Sequence, residues 1–231
     1  MNDSRATACR PRCRRQARAV EFLALYILMP VALVYLLPPR GILPVLWIAG
    51  LTAWALLRTD PRERPPERPL HSRPLHSRWR ELGFILLRFA VVALLLTAAL
   101  WLHRPAWLFR FPRQSPGFWL LVMCCYPLIS VFPQGLLYRK LFERRYAGLF
   151  SSPRASWLIG SLAFGFAHLP FGNLWAVGFP FLGGLIFLRT YRRTGSLVLS
   201  CIEHGLYGDL LFTVGWGVYL FHGGTQALLV H

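Results

Sequence analysis

Six ionisable side chains stand in or at the ends of apolar stretches: Arg88, Arg139, His168, Glu203, His204 and Asp209. Gln134 and Asn173 add two amides. Ionisable groups are expensive in hydrocarbon and mark functional positions by default. Histidines set beside carboxylates are the residue types that move protons, hold water or bind a metal. A lone buried histidine reads more simply as a hydrogen-bonded core residue. Two at similar depth on different helices, in a chain with almost no other intramembrane polarity, read as a site.

The elements that position these residues follow from composition. The chain has 231 residues, 55% hydrophobic and 15% charged, with a formal net charge of +17 and a mean hydropathy of +0.43. A soluble domain this apolar is excluded, and so is a nucleic-acid binder, whose basic residues would track one patch of a soluble fold. The basic residues here alternate with apolar runs, as in a multi-pass membrane protein. Crossing a hydrocarbon core takes roughly 20 apolar helical residues. Seven candidate spans fit: Val20–Leu37, Ile42–Leu57, Leu82–Leu102, Gly117–Leu137, Ser156–Pro170, Trp175–Leu188 and Ser196–Val214. Val218–Leu220 and Ala227–Val230, broken by Gly223 and Gly224, form a candidate eighth. The expected fold is therefore an all-α transmembrane helical bundle of seven to eight spans, since lipid cannot satisfy an open backbone.

Of the 26 Lys and Arg residues, 21 lie in the odd-numbered flanking segments, four in the even-numbered ones, and Arg88 lies inside the third span. By the positive-inside rule the amino terminus, the linker after span two and the loops after spans four and six are cytoplasmic. The first apolar run lacks a small-residue cleavage site and reads as a retained span. The expected location is the inner membrane. Cys9 and Cys13 face a reducing cytosol and Cys124, Cys125 and Cys201 lie in spans, so neither a disulfide nor a zinc knuckle is expected.

Three regions are expected: residues 1–57, a basic terminus and two-span anchor; 58–80, a Pro/Arg-rich cytoplasmic linker; and 81–231, the bundle carrying the chemistry. The linker contains a tandem repeat, Arg68–Ser72 and Arg73–Ser77, and suits attraction to anionic lipid.

A helical rise of 1.5 Å per residue places His168 roughly 18 Å from the cytoplasmic face, His204 roughly 12 Å and Gln134 roughly 6–12 Å. Three helices can thus aim polar groups into one cavity. Glu203 and His204 are adjacent and point about 100° apart on a helix, so one of them is expected to bond a neighbouring helix instead. Arg139 and Arg88 read most simply as snorkelling anchors, with Arg139 alternatively orienting an acidic partner. The Gly-x-Ser-Gly nucleophile of rhomboid proteases, the paired aspartates of presenilins and the His-Glu-x-x-His of zincins are absent.

Three motifs occur in order: PQGLLYR at Pro133–Arg139, FGFAH at Phe164–His168 and EHGLYG at Glu203–Gly208. Together they resemble the CAAX-processing and bacteriocin-processing (Rce1-like, Abi) intramembrane proteases. That family carries Glu-Glu-x-x-x-Arg, Phe-x-x-x-His and a His-x-x-x-Asn/Asp-like motif on successive helices. One bacterial branch, with Pro-Gln-Glu and Glu-His-x-x-Tyr-Gly, is more similar still. The resemblance spans roughly Phe118–Tyr219. It matches Arg139 to the first motif, Phe164 and His168 to the second and His204 to the third. Gln134 and Gly135 stand where the family has its glutamates, and Gly208 where the third motif ends.

The resemblance implies a membrane endopeptidase of glutamic or metallo type, cutting a peptide or protein substrate near the cytoplasmic face. His168 and His204 would position water or a metal and stabilise the oxyanion. Glu203 would replace the missing base, with Arg139 an orienting charge and Gln134 a further site residue. His168, His204 and Glu203 suit zinc with an open position, and also suit a metal-free site. The alternative is a catalytically degenerate relative serving as a membrane interaction or immunity factor. A small-solute transporter comes third, because the spans show no convincing internal repeat.

Overall fold

The computed structural model describes residues 3–36, 38, 41–59 and 75–220, and every regular element among them is helical. α1 (Asp3–Leu23) passes through a π-helical segment (Ala24–Leu28) into α2 (Met29–Leu36). α3 (Ile42–Thr59), α4 (Leu75–His103), the short α5 (Arg110–Gln114) and α6 (Pro116–Tyr126) follow. α6 continues through a second π segment (Pro127–Val131), α7 (Phe132–Gly135) and a third π segment (Leu136–Tyr146). α8 (Pro153–Phe166), α9 (Leu174–Thr194) and α10 (Leu197–Val214) complete the bundle.

Six helices among the described residues are long and apolar enough to cross a bilayer: Cys13–Leu36, Ile42–Thr59, Trp79–His103, Pro116–Leu149, Leu174–Thr194 and Leu197–Val214. The molecule is an integral membrane helical bundle. The expected fifth span is shorter than read from sequence. α8 has 14 residues, roughly 21 Å of helix, less than a hydrocarbon core of about 30 Å. The chain leaves it before His168 and turns through a 3-10 turn, Leu169–Phe171, into α9. Val218–Leu220 of the expected eighth pass lies in a 3-10 turn, Trp216–Leu220, and Ala227–Val230 lies outside the described residues. Both ends of the expected 58–80 linker are helical, since α3 runs to Thr59 and α4 begins at Leu75. Residues 60–74, with His71 and most of the tandem repeat, lie outside the described residues.

Two of the π segments have a local cause. Proline lacks an N–H and its ring crowds the carbonyl four residues back, so the ladder widens to relieve it. Pro30 follows the first segment by two residues and Pro133 follows the second by two, so each crowds a carbonyl inside its segment, that of Tyr26 or of Ile129. The widened turns of the third segment carry Arg139.

α8, α9 and α10 each begin with a side-chain cap. Ser152, Asn173 and Ser196 accept from the backbone N–H of Ala155, Ala176 and Leu199, a device worth about 1 kcal/mol apiece. Asn173 also donates to the carbonyls of Phe171 and Tyr219. Its polarity is thus absorbed by the helix start. α8 and α9 approach closely through small residues: a Cβ on Gly184 would stand 3.0 Å from Ser161 Cα, and one on Gly165 2.9 Å from the Val177 carbonyl.

The first two spans pack onto the rest of the bundle. Phe22, Tyr26, Ala53 and Leu57 share a core with Leu137, Tyr138, Leu141 and Phe142. The Tyr26 hydroxyl donates to the Leu137 carbonyl at 2.8 Å, and Trp47 Nε1 to the Ile129 carbonyl at 2.9 Å. At one end of the bundle, ion pairs join four basic segments of the chain. Arg145 bonds Glu21 through two nitrogens at 2.8 and 2.9 Å, Arg192 meets Glu143 at 2.6 Å and Arg193 meets Glu81 at 2.5 Å. The outward stripe of α4, with Leu87, Val91, Leu94 and Leu102, is apolar and exposed, as a lipid-facing surface requires.

Candidate functional site

The third π segment brings Arg139 into the protein interior. It is 2% exposed, and the helix that bears it runs ten residues further, to Leu149. The expected snorkelling geometry therefore does not form. The guanidinium packs against the rings of Phe164 and Phe187, its Cζ 5.4 and 5.1 Å from the two ring centroids. Such contacts are favourable for a desolvated cation. Nη2 donates to His204 Nδ1 at 2.8 Å, while Nη1 has no hydrogen-bond partner among the described residues.

That contact fixes the proton on His204. Arginine only donates, so Nδ1 must offer its lone pair, and the neutral ring carries its proton on Nε2. Nε2 lies 3.3 Å from the Tyr126 hydroxyl. His168 is held in the opposite sense. Its Nδ1 lies 2.9 Å from the Phe164 carbonyl, which only accepts, so Nδ1 carries the proton and Nε2 the lone pair. Phe164, at the other end of the FGFAH motif, thus orients His168 by its carbonyl and Arg139 by its ring.

His168 and His204 line one cavity of about 510 Å³, a volume ordinary for a ligand site. Its polar lining includes Tyr126, Gln134, His168 and His204, and Leu33, Leu46, Val92, Leu96, Phe179 and Leu211 are among its apolar walls. α2, α3 and α4 supply part of that wall, so residues expected to serve only as an anchor help to enclose the chamber. Gln134 donates to Ser130 Oγ at 2.8 Å, and its Oε1 is buried with no partner among the described residues.

Glu203 is placed elsewhere. It is fully buried, but its carboxylate faces α4 and accepts from Arg88 through Nε, at 3.0 Å, and through Nη2. Arg88 Nη2 also donates to Thr190 Oγ1 at 3.0 Å. Glu203 does not line the cavity. The reason is the roughly 100° step between helical neighbours, which leaves only one of Glu203 and His204 facing it. Arg88, expected to snorkel, instead turns inward to this carboxylate. Asp209 is half-buried, lies off the cavity, and its Oδ1 has no partner among the described residues.

The two glycines at the motif positions are filled from other helices. A Cβ on Gly135 would stand 2.6 Å from Cys201 Sγ and 3.1 Å from Arg139 Nη1. A Cβ on Gly208 would collide with the ring and hydroxyl of Tyr126. Tyr126 is the site residue that sequence reasoning missed. In one chain it is a tyrosine in an apolar run, and only the fold shows it occupying the space Gly208 leaves.

The donor set does not fit zinc. Among the described residues no three His, Cys, Asp or Glu side chains converge as a ligand group. His204 gives its Nδ1 lone pair to Arg139 and Glu203 is held by Arg88, so of the expected ligands only His168 Nε2 offers a lone pair to the cavity. A catalytic zinc takes three protein ligands.

Residues 115–208 match the family model of the type II CAAX prenyl endopeptidases, Rce1-like. The matched segment contains all three motifs and is the region from which the resemblance was read. It excludes the first three spans, which complete the cavity wall. No curated protein and no solved structure matches the chain.

Proposed function

We propose that this membrane protein is an endopeptidase of the CAAX-protease type that hydrolyses a peptide bond near the cytoplasmic face of the inner membrane, with its amino terminus in the cytoplasm. The observation that carries the reading is the opposed hydrogen bonding of two histidines that line one apolar cavity. Nδ1 of His168 faces a carbonyl and leaves the Nε2 lone pair, while Nδ1 of His204 faces Arg139 and leaves the Nε2 proton toward Tyr126.

In this reading His168 Nε2 takes a proton from water as the water oxygen attacks the scissile carbonyl. The carbonyl electron pair moves to oxygen, and the hydrogen-bond donors that begin at Arg139 and pass through His204 meet the charge as it develops. The imidazolium of His168 then returns the proton to the leaving amine as the C–N bond breaks. No metal takes part in these steps. Gln134, with Oε1 unpartnered, holds the attacking water. Glu203, bound by Arg88, supports α10. The substrate is a peptide whose apolar portion occupies the chamber.

A second reading, a non-catalytic relative acting as a membrane interaction or immunity factor, draws on a separate observation: among the described residues no carboxylate lines the cavity. A purified sample in lipid nanodiscs, incubated with a mixed membrane-peptide library and read by mass spectrometry, separates the two. Cleavage by wild type that is lost in His168→Ala supports the peptidase. No cleavage by wild type, together with peptide capture that Tyr126 and His204 variants weaken, supports the non-catalytic relative.

A further inference from the structure

We propose that Tyr126 is the terminal donor of a directional hydrogen-bond chain, Arg139 to His204 to Tyr126, and that its hydroxyl receives the oxyanion in the cavity. The inference rests on the peptidase reading and adds to it a catalytic residue outside the three motifs.

Direction follows from donor chemistry at each link. Arg139 Nη2 donates to His204 Nδ1 at 2.8 Å, and arginine has no acceptor. The neutral His204 ring must then carry its proton on Nε2, which faces the Tyr126 oxygen at 3.3 Å. With that oxygen accepting, the phenolic proton is left to donate, and Tyr126 lines the cavity. Every bond in the chain points the same way, from a buried cation toward the chamber.

Two features strengthen the far end. The chain starts at a guanidinium that is 2% exposed and packed against two aromatic rings. With Gln134 and Gly135 in place of the glutamates, no carboxylate of the first motif drains that charge. Aligned hydrogen bonds polarise one another in a low-dielectric interior, so the cation makes the terminal O–H a better donor than an isolated phenol. Position is fixed as well. The ring of Tyr126 packs edge-on against Phe212, centroids 5.4 Å apart, and occupies the space that Gly208 leaves open. Any side chain at 208 would push the hydroxyl away from His204. The glycine that departs from the third motif is therefore what admits the donor.

The test pairs a kinetic variant with a readout that does not need activity. Tyr126→Phe removes only the hydroxyl and keeps the ring that packs on Phe212. Loss of one oxyanion donor lowers kcat by about 100- to 1000-fold, with KM within about twofold because the bond forms mainly in the transition state. In parallel, ¹⁵N-histidine NMR of the protein in bilayers reports which nitrogen of His204 carries the proton. The expected result is a proton on Nε2, and an Nε2 resonance that shifts in Tyr126→Phe while His168 stays unchanged. A proton on Nδ1 of His204 overturns the chain whatever the activity. So does a Tyr126→Phe protein with wild-type kcat. Wild type that holds the Nε2 proton, shows the shift and cleaves no peptide removes the peptidase reading and, with it, the catalytic role of Tyr126, leaving the chain as a structural arrangement.

Discussion

Two buried polar groups flank α10, and they are built on opposite principles. On one side Glu203 meets Arg88 and, through it, Thr190, so that each charge has an opposite, although Oε2 of the carboxylate has no hydrogen-bond partner among the described residues. On the other, one residue along, His204 meets a buried arginine whose Nη1 has no partner among the described residues. A matched ion pair holds helices together at modest net gain, and breaking one side of it is costly. A buried cation with open valence is a poor stabilising device, and its polarity is directed at a cavity. Adjacency in sequence therefore says little about shared chemistry on a helix. The state of the partners says more.

Four substitutions sharpen or break that comparison. His168→Ala has the largest effect: turnover falls by about 1000-fold or more, since the only lone pair offered by the expected base set is removed, while thermal unfolding in detergent stays close to wild type. Glu203→Leu acts on the other side. It leaves Arg88 unpaired and lowers stability by about 3 kcal/mol, and the double variant Arg88→Met with Glu203→Leu recovers most of that in a denaturation titration. If Glu203→Leu removed turnover without loss of stability, the division between the two groups would collapse.

Gly135→Glu has a smaller effect, about 1–3 kcal/mol of overpacking, because its Cβ would stand 2.6 Å from Cys201 Sγ. Adding Cys201→Ala to it, which removes the sulfur and keeps a helix-forming residue, recovers part of the melting temperature. Restoring the motif glutamate alone is thus expected to cost stability, and the comparison of single and double variants reads that cost. The smallest effect belongs to the Arg145–Glu21 pair at the basic end. Glu21→Gln changes stability by less than about 1 kcal/mol, as an ion pair with an exposed partner should.

Much of this was legible in the sequence. Six of the seven expected spans, the helical class and the three motifs are carried by composition and order, and the matched segment contains every motif residue. The 100° step between Glu203 and His204 already required one of them to face another helix, and Glu203 does. Arg139 was harder to read. Its nearness to Lys140, Arg144 and Arg145 suggests a helix end, whereas the π segment carries the helix on to Tyr146 and turns the guanidinium inward. Arg88 misleads for a related reason, since its partner lies 115 positions away. Tyr126 with Gly208, and Gly135 with Cys201, are pairs of residues on different helices in which one fills the space of the other. Such complementarity has no period or spacing in a single chain. The contribution of α2, α3 and α4 to the chamber was likewise hidden, because apolar residues on a lipid-facing and a cavity-facing side look the same in sequence.

The most direct measurement is the turnover of His168→Ala and Glu203→Gln on one cleaved peptide, each normalised to folded protein in nanodiscs. The account expects His168→Ala to lose about 1000-fold or more and Glu203→Gln to stay within a few-fold of wild type. Full activity in His168→Ala, or abolition in a well-folded Glu203→Gln, would contradict it and return the base to the carboxylate.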